Sequence, residues 1–268
     1  MPHWRNNFLS RNQIVHTPDE IARIRRAAAI TAQVRDQIAG AIRPGMTTLD
    51  VDVLAGEFIR ASGGKSAFLN YHGYPGNICI SVNEEVVHGI GSPKRIIGEK
   101  DIVSIDVGVE FDGAMGDTAV TVSMDPEPAD DIRRLLEGTR NALFKGIDAA
   151  RCGRRVGDIS RAVELAARDS HLGIVREYVG HGCGIRLHEP PEVPNFSGWG
   201  SGPVLVPGMV LCIEPMLNLG SEKIVVDRKD GWTVRTRDGA WSAHFEHMIL
   251  ITENEPEILT WQKMMYSE

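Results

Sequence analysis

Residues 101–122, DIVSIDVGVEFDGAMGDTAVTV, constrain the fold more than any other stretch. Two apolar runs rich in Val, Ile and Thr flank an Asp-Gly pair, which is the pattern of a β-hairpin. With Asp112 and Gly113 as the loop residues, Phe111 pairs with Ala114, and counting outward sets Asp106 opposite Ala119 and Gly108 opposite Asp117. Asp106 and Asp117 then share a face as diagonal neighbours, with backbones roughly 7–8 Å apart, so their side chains can converge on one small object. Gly108, on the same face, leaves space there. Two carboxylates so close in an apolar sheet repel each other unless a proton or a cation offsets the charge, and a divalent metal is the natural candidate. Taken alone, hairpin aspartates more often sit in exposed turns or caps; the supply of similar residues downstream changes the balance.

That supply comes from three segments. VGHGCGIRLHEPP, residues 179–191, places His181 and His188 in a glycine-bracketed loop, where backbone can approach a ligand closely. In MVLCIEPML, residues 209–217, Glu214 interrupts an apolar strand and needs a partner; a buried salt bridge is the plain alternative, although no internal cation is evident. Glu246 lies in the apolar run WSAHFEHMILIT, residues 241–252, where exposure on an alternating edge is an equal alternative. Asp106, Asp117, His181, Glu214 and Glu246 together make four carboxylates and one imidazole, a charge that matches two divalent cations. Oxygen-rich donors with one nitrogen suit Mn, Fe, Co or Zn better than Cu. Two such ions can lower the pKa of a shared water enough for it to attack a carbonyl carbon or a phosphorus.

The rest of the chain supports a single α+β domain. Its 268 residues can bury a substantial core, and 42% hydrophobic with 24% charged residues is ordinary for a soluble globular protein. A net charge of -7 argues against nucleic-acid recognition, and Arg23, Arg25 and Arg26 read as a solvated helix face. Four cysteines without a C-x-x-C pair fit a reducing cytoplasm, and neither a signal peptide nor a membrane span is expected. Residues 1–16 read as an N-terminal arm, and 17–268 as one catalytic domain. Thr17-Pro18-Asp19-Glu20 caps a helix that ends near Pro44-Gly45, and a second helix runs from about Thr48 to Ser62. After the hairpin and an Asp-Pro-Glu-Pro connector, helices are expected at about 129–150 and 156–170, followed by strands. The order helix, helix, sheet thus occurs twice, over about 17–125 and 126–252. Laying 43–60 over 151–168 matches Arg43 with Arg151, Gly45 with Gly153, Asp50 with Asp158 and Arg60 with Arg168, which suggests an internal duplication with a site between the halves.

The motifs YHGYPGNICISVNEEVVHGI, SIDVGVEFDGAMGDTA, VGHGCGIRLHEPPEV, CIEPM and WTVRTRDGAWSAHFEHMILIT, in this order, resemble type I methionine aminopeptidases, members of the pita-bread metallopeptidases, from about Thr17 to Thr252. The resemblance implies a pita-bread fold with pseudo-two-fold halves around a dinuclear metal site. It also implies removal of the initiator methionine from nascent chains with a small second residue, by a bridging hydroxide. Asp106, Asp117, His181, Glu214 and Glu246 match the five ligands, with Asp117 and Glu246 bridging two divalent ions drawn from Co, Mn, Fe or Zn. His88 matches the histidine near the scissile nitrogen and His188 the one at the carbonyl oxygen, while Glu214 would carry the proton to the departing amine. Tyr71, Tyr74, Cys79 and Trp232, with His72 and Gly73, match the methionine pocket. Phe68 and Leu187 depart from the Cys and Phe of many bacterial members, and Gly91 from a Pro, which bears on pocket volume and not on the reaction. The implied partners are nascent polypeptide N-termini, with ribosome contact a corollary of the function rather than of any residue, and a monomer is the plain default. An Xaa-Pro peptidase of the same fold, or a non-enzymatic binding protein, is the alternative.

Overall fold

The computed structural model describes residues 14–198 and 200–261. Residues 1–13, which make up most of the expected arm, lie outside the described residues, as do Trp199 and 262–268. Helix α1 spans Pro18–Ala41 and opens on the expected capping box: Thr17 accepts from the Glu20 backbone N–H, and the Glu20 carboxylate accepts from the Thr17 N–H at 2.8 Å. Its buried positions Ile24, Ala27, Ala28, Thr31, Ala32, Val34, Arg35 and Ile38 follow a helical period and make one inward face. Helix α2 spans Thr48–Ala61, α3 Asp130–Ala149 and α4 Val156–Asp169, each within a residue or so of the expected bounds.

Strands β1 (Lys65–Ser66), β2 (Cys79–Val82) and β3 (Glu85–Val87) precede the hairpin of β4 (Ile102–Phe111) and β5 (Ala114–Ser123). The hairpin register is the one the turn dictates, with Phe111 opposite Ala114, Gly108 opposite Asp117 and Asp106 opposite Ala119. The space expected above Gly108 is not open. The Phe68 ring lies there, so close that a Cβ on residue 108 would stand 2.4 Å from it. The sheet order is β1-β4-β2, with β5 on the far edge of β4.

After α4, short strands β6 (Gly173–Ile174), β7 (Gly180–Gly182), β8 (Glu189–Val193), β9 (Val210–Ile213), β10 (Met216–Asn218), β11 (Ile224–Val226), β12 (Val234–Thr236), β13 (Ser242–His244), β14 (His247–Leu250) and β15 (Glu257–Ile258) form the second half. They pair as β15-β14-β9-β7-β8, β13-β10-β6 and β11-β12-β3, so the last sheet borrows β3 from the first half. One apolar core, including Ile105, Val120, Leu143, Ile159, Leu211 and Ile249, runs through both halves.

The duplication suggested by the helix sequences is written into the backbone. Gly45 N–H donates to Ile97 O and Gly153 N–H to Leu205 O; Thr48 N–H donates to Arg95 O and Val156 N–H to Pro203 O. At the other ends of α2 and α4, Gly64 N–H reaches Ile59 O and Leu172 N–H reaches Ala167 O. Each pair of bonds is related by the same spacing as Arg43 and Arg151, and that spacing also carries Asp106 onto Glu214.

Alternation along β5 turns Asp117 towards the space between the halves and Gly116 and Thr118 towards α1. The helix lies close because both sides are small: a Cβ at Gly116 would fall 2.2 Å from Thr31 Oγ1 and 2.7 Å from the Ala27 carbonyl. Four hydrogen bonds then tie β5 to the second half: Glu246 N–H to Ala119 O (2.9 Å), Thr118 Oγ1 to Glu246 O (2.8 Å), Thr121 Oγ1 to His244 O (2.8 Å) and His244 N–H to Thr121 Oγ1 (2.9 Å). Gly116→Ala pushes α1 away from this junction, and we expect it to lower the unfolding free energy by about 1–3 kcal/mol, read as a lower urea midpoint at unchanged slope.

Candidate active site

A cavity of about 960 Å³ opens between the halves and is lined by every side chain the sequence singled out as a ligand, as a catalytic histidine or as a wall of the methionine pocket. Asp106 comes from β4 and Asp117 from β5. His181 sits in β7, Glu214 directly follows β9, and Glu246 lies between β13 and β14. Glu246 is only 2% exposed, so the alternative of an exposed edge position does not apply. The salt-bridge alternative for Glu214 fails as well. Among the described residues its ion-pair contacts are to histidines, His181 Nε2 at 3.4 Å from Oε1 and His244 Nε2 at 3.7 Å from Oε2.

His181 shows what the cluster lacks. Its Nδ1 lies 2.9 Å from the Gly182 carbonyl, which accepts only if Nδ1 carries the proton. Nε2 therefore presents a lone pair to Glu214 Oε1 and, at 3.7 Å, to Asp117 Oδ2. Burial, reinforced by His188, holds this imidazole neutral, with its pKa pushed down to about 3. A lone pair facing two carboxylate oxygens is repulsive unless positive charge lies between them. Asp106 Oδ1, Asp117 Oδ1 and Glu246 Oε1 are also buried without a hydrogen-bond partner. Burial pushes the pKa of Asp106 up to about 7, against a hydrogen bond with Cys79 that lowers it. Burial drives Asp117, Glu214 and Glu246 well above the usual carboxylate range, with mutual repulsion among the carboxylates adding to it. Orphaned oxygens, one nitrogen lone pair and compressed negative charge are the donor set a divalent cation satisfies. The chain's own residues fit the metal.

Among the described residues, Asp117, His181, Cys212 and Glu246 form one donor group whose donor atoms all lie within 4.8 Å of one another. It omits Asp106 and Glu214 and includes a cysteine that sequence reasoning passed over. Cys212 lies in β9, two residues before Glu214, and its thiol hydrogen-bonds the Glu246 carboxylate. Burial pushes that thiol's pKa up, keeping it a neutral donor in the metal-free chain. Glu214 lines the same cavity, with Oε1 3.4 Å from His181 Nε2. His244 was also missed, although it precedes Glu246 by two residues in an apolar run, which was a readable signal. Tyr178, which stacks edge-on against His88 with ring centroids 5.1 Å apart, carried no signal in the sequence.

The remaining walls divide into a catalytic and an apolar part. His188 Nδ1 lies 2.7 Å from the Tyr71 hydroxyl, and its ring meets His181 with centroids 4.2 Å apart. Burial lowers the pKa of His188, with help from His72, and takes that of His88 down to about 4, so both are neutral at pH 7. Phe68, Tyr74, Cys79 and Leu187 form one apolar cluster, with Tyr71 and Trp232 packed against it. Phe68 and Leu187 thus meet in one wall, the ring of the first standing beside the smaller chain of the second. Tyr74 is fixed by its hydroxyl, which donates to Gly89 O at 2.7 Å, and its ring meets Trp232 edge-on.

With this geometry in hand, residues 22–253 match metallopeptidase family M24. The chain belongs to that family, and its fold is the pita-bread α+β fold expected above. Within the family its similarity is to methionine aminopeptidases. It is 44% identical over 247 residues to methionine aminopeptidase 1 of Bacillus subtilis and 42% identical over 247 residues to the methionine aminopeptidase of Clostridium acetobutylicum, covering 92% of this chain and 98% of each relative. The crystal structure of the Thermotoga maritima methionine aminopeptidase superposes with a TM-score of 0.90 at 42% identity, over 93% of this chain and 100% of that one. A prolidase from Pyrococcus furiosus shares the fold alone, at 22% identity and a TM-score of 0.75. Family and donor cluster together support a divalent metal cofactor.

Protons and the cation compete for the same carboxylates. Affinity for Mn measured by calorimetry should therefore fall as pH drops below 7, and Asp117→Asn or Glu246→Gln should weaken it at least about tenfold. A carboxylate whose folded pKa is raised stabilises the metal-free fold below its unfolded pKa, and that stability is lost as pH rises through about 7, the value for Asp106. The gain in thermal midpoint on adding Mn should accordingly be larger at pH 8 than at pH 5.

Proposed function

We propose that this chain is a metal-dependent aminopeptidase that removes the N-terminal methionine from polypeptides whose second residue is small. The carrying observation is the junction of four carboxylates, two of them buried, and the His181 lone pair with an apolar aromatic pocket in one cavity. Asp106, Asp117, His181, Glu214 and Glu246 would hold two divalent ions, and Mn, Fe, Co and Zn all suit the donors. When bound, the ions supply Lewis acidity, lowering the pKa of water and polarising a carbonyl.

The chain's own groups supply orientation and proton movement. The Tyr71 hydroxyl lies 2.7 Å from His188 Nδ1; with Tyr71 as the donor in that bond, the proton of the neutral ring sits on Nε2, free to donate to the scissile carbonyl oxygen as negative charge develops there. His88, held between the Tyr178 and Trp232 rings, contacts the scissile nitrogen side. Glu214, which would be ionised once cations are held beside it, would take a proton from the attacking water and return it to the departing amine. Tyr71, Tyr74, Cys79 and Trp232 accept the methionine side chain, whose thioether gains from aromatic edges and a soft thiol. Nascent polypeptide N-termini in the cytoplasm are the natural substrates, and a monomer suffices for this chemistry because every named group lies in one chain.

The test strips the protein of metal, restores Mn, Fe, Co or Zn singly, and follows Met-Gly, Met-Leu and Xaa-Pro peptides. Met-Gly should be cleaved with kcat/KM at least about tenfold above Met-Leu, and Asp106→Ala or Glu246→Ala should abolish turnover while the fold persists by circular dichroism. Preference for Xaa-Pro would move the chain to the prolidase branch, and silence with every metal would favour a binding protein.

A further inference from the structure

The loop that carries His188 is closed by the residue after it. Glu189 Oε1 accepts the backbone N–H groups of Arg186 at 2.8 Å and Ile185 at 3.1 Å, which folds 185–189 into a tight turn. Its other oxygen, Oε2, lies 3.2 Å from His16 Nε2, with both side chains 2% exposed. His16 belongs to the short segment before α1, far from this loop in sequence. The segment is pinned there by the His16 N–H, which donates to the Gly208 carbonyl at 2.9 Å.

A second, independent feature shows that the loop is built around this imidazole. A Cβ at Gly184 would stand 2.6 Å from His16 Nε2, so the backbone of the loop lies directly against the ring and only glycine permits it. The Gly184 carbonyl in turn accepts the Met115 N–H at 2.7 Å, which joins the loop to β5, the strand of Asp117. The carboxylate is thus held through one oxygen by two amides, while the other faces a buried imidazole at ion-pair distance. Removing the imidazole would take from the buried Oε2 its one cationic-capable neighbour among the ion pairs of the described residues and loosen the turn that presents His188.

We propose that His16 is a positioning residue for His188: it holds the Glu189 carboxylate, and Glu189 closes the loop that sets the His188 ring in the cavity. The inference rests on the reading of His188 as the donor to the scissile carbonyl. His16 itself touches neither substrate nor metal, so its loss acts through geometry and falls on turnover more than on substrate binding.

The experiment compares the Mn-loaded wild-type protein with His16→Ala, His16→Gln and Thr47→Ala, the last removing a helix cap remote from the loop as a control for lost stability. His16→Ala should lower kcat on a Met-Ala peptide by about ten- to a hundredfold while KM stays within about twofold, and amide hydrogen exchange at 185 and 186 should accelerate at least about tenfold. His16→Gln, which keeps a donor near the Nε2 position, should recover most of both. Thr47→Ala should lower stability with kcat unchanged. The proposal is overturned if His16→Ala slows turnover no more than Thr47→Ala does, or if exchange at 185 and 186 is unaltered. A wild-type protein that cleaves no methionyl peptide would instead sink the functional reading, and exchange alone would then decide whether His16 holds the loop.

Discussion

Four carboxylates gathered around one imidazole that offers them a lone pair cannot rest in an apolar interior without positive charge, and the structure is organised around that fact. Each acid is carried by a strand or strand end whose neighbours are committed to packing or to the backbone ladder, so none can swing out to water. The bonds from Thr118, Ala119 and Thr121 to the segment of His244 and Glu246 bring the two halves together at the point of highest repulsion. Behind them, the buried Arg35 guanidinium donates to Thr118 Oγ1 at 2.7 Å and braces the junction from α1. Strain of this kind is tolerated when the surroundings over-determine the geometry, as they do here.

What could be read from the sequence was whatever local chemistry fixes. The Asp-Gly turn sets the register of β4 and β5 without reference to the rest of the chain, so Asp106 and Asp117 could be placed by counting. The box of Thr17 and Glu20 likewise located the start of α1. An acid within an apolar run is conspicuous in any sequence, which is why Glu214 and Glu246 stood out. The contacts that close the site were not legible, because they join segments far apart in the chain. Phe68 fills the space above Gly108 only because the loop before β2 folds over the hairpin. Cys212 comes near Asp117, His181 and Glu246, and His16 near Glu189, only through the folding together of segments far apart in the chain.

The apolar and the charged parts of the cavity depend on one another. Cys79 lies opposite Asp106 in the sheet and hydrogen-bonds it, and so belongs to both walls. Tyr71 does the same on the other side, with its ring in the apolar cluster and its hydroxyl on His188. A side chain lodged in the pocket is thereby delivered to the carboxylates at a fixed distance, so discrimination of the substrate and placement of its carbonyl are one event rather than two.

The repeated backbone bonds of the two halves carry a last consequence. Since one spacing relates α2 to α4 and also Asp106 to Glu214, each half contributes an acid from the same place in its own sheet. His181 breaks that equivalence, for the position it would match in the first half is Gly73, in the loop that leads to the aromatic wall. Charge around the centre is therefore nearly balanced while donor softness is not. Of the five candidate donors, Asp106 and Asp117 bring oxygen alone from the first half, while the imidazole of His181 comes from the second, so nitrogen reaches the cluster from one side only.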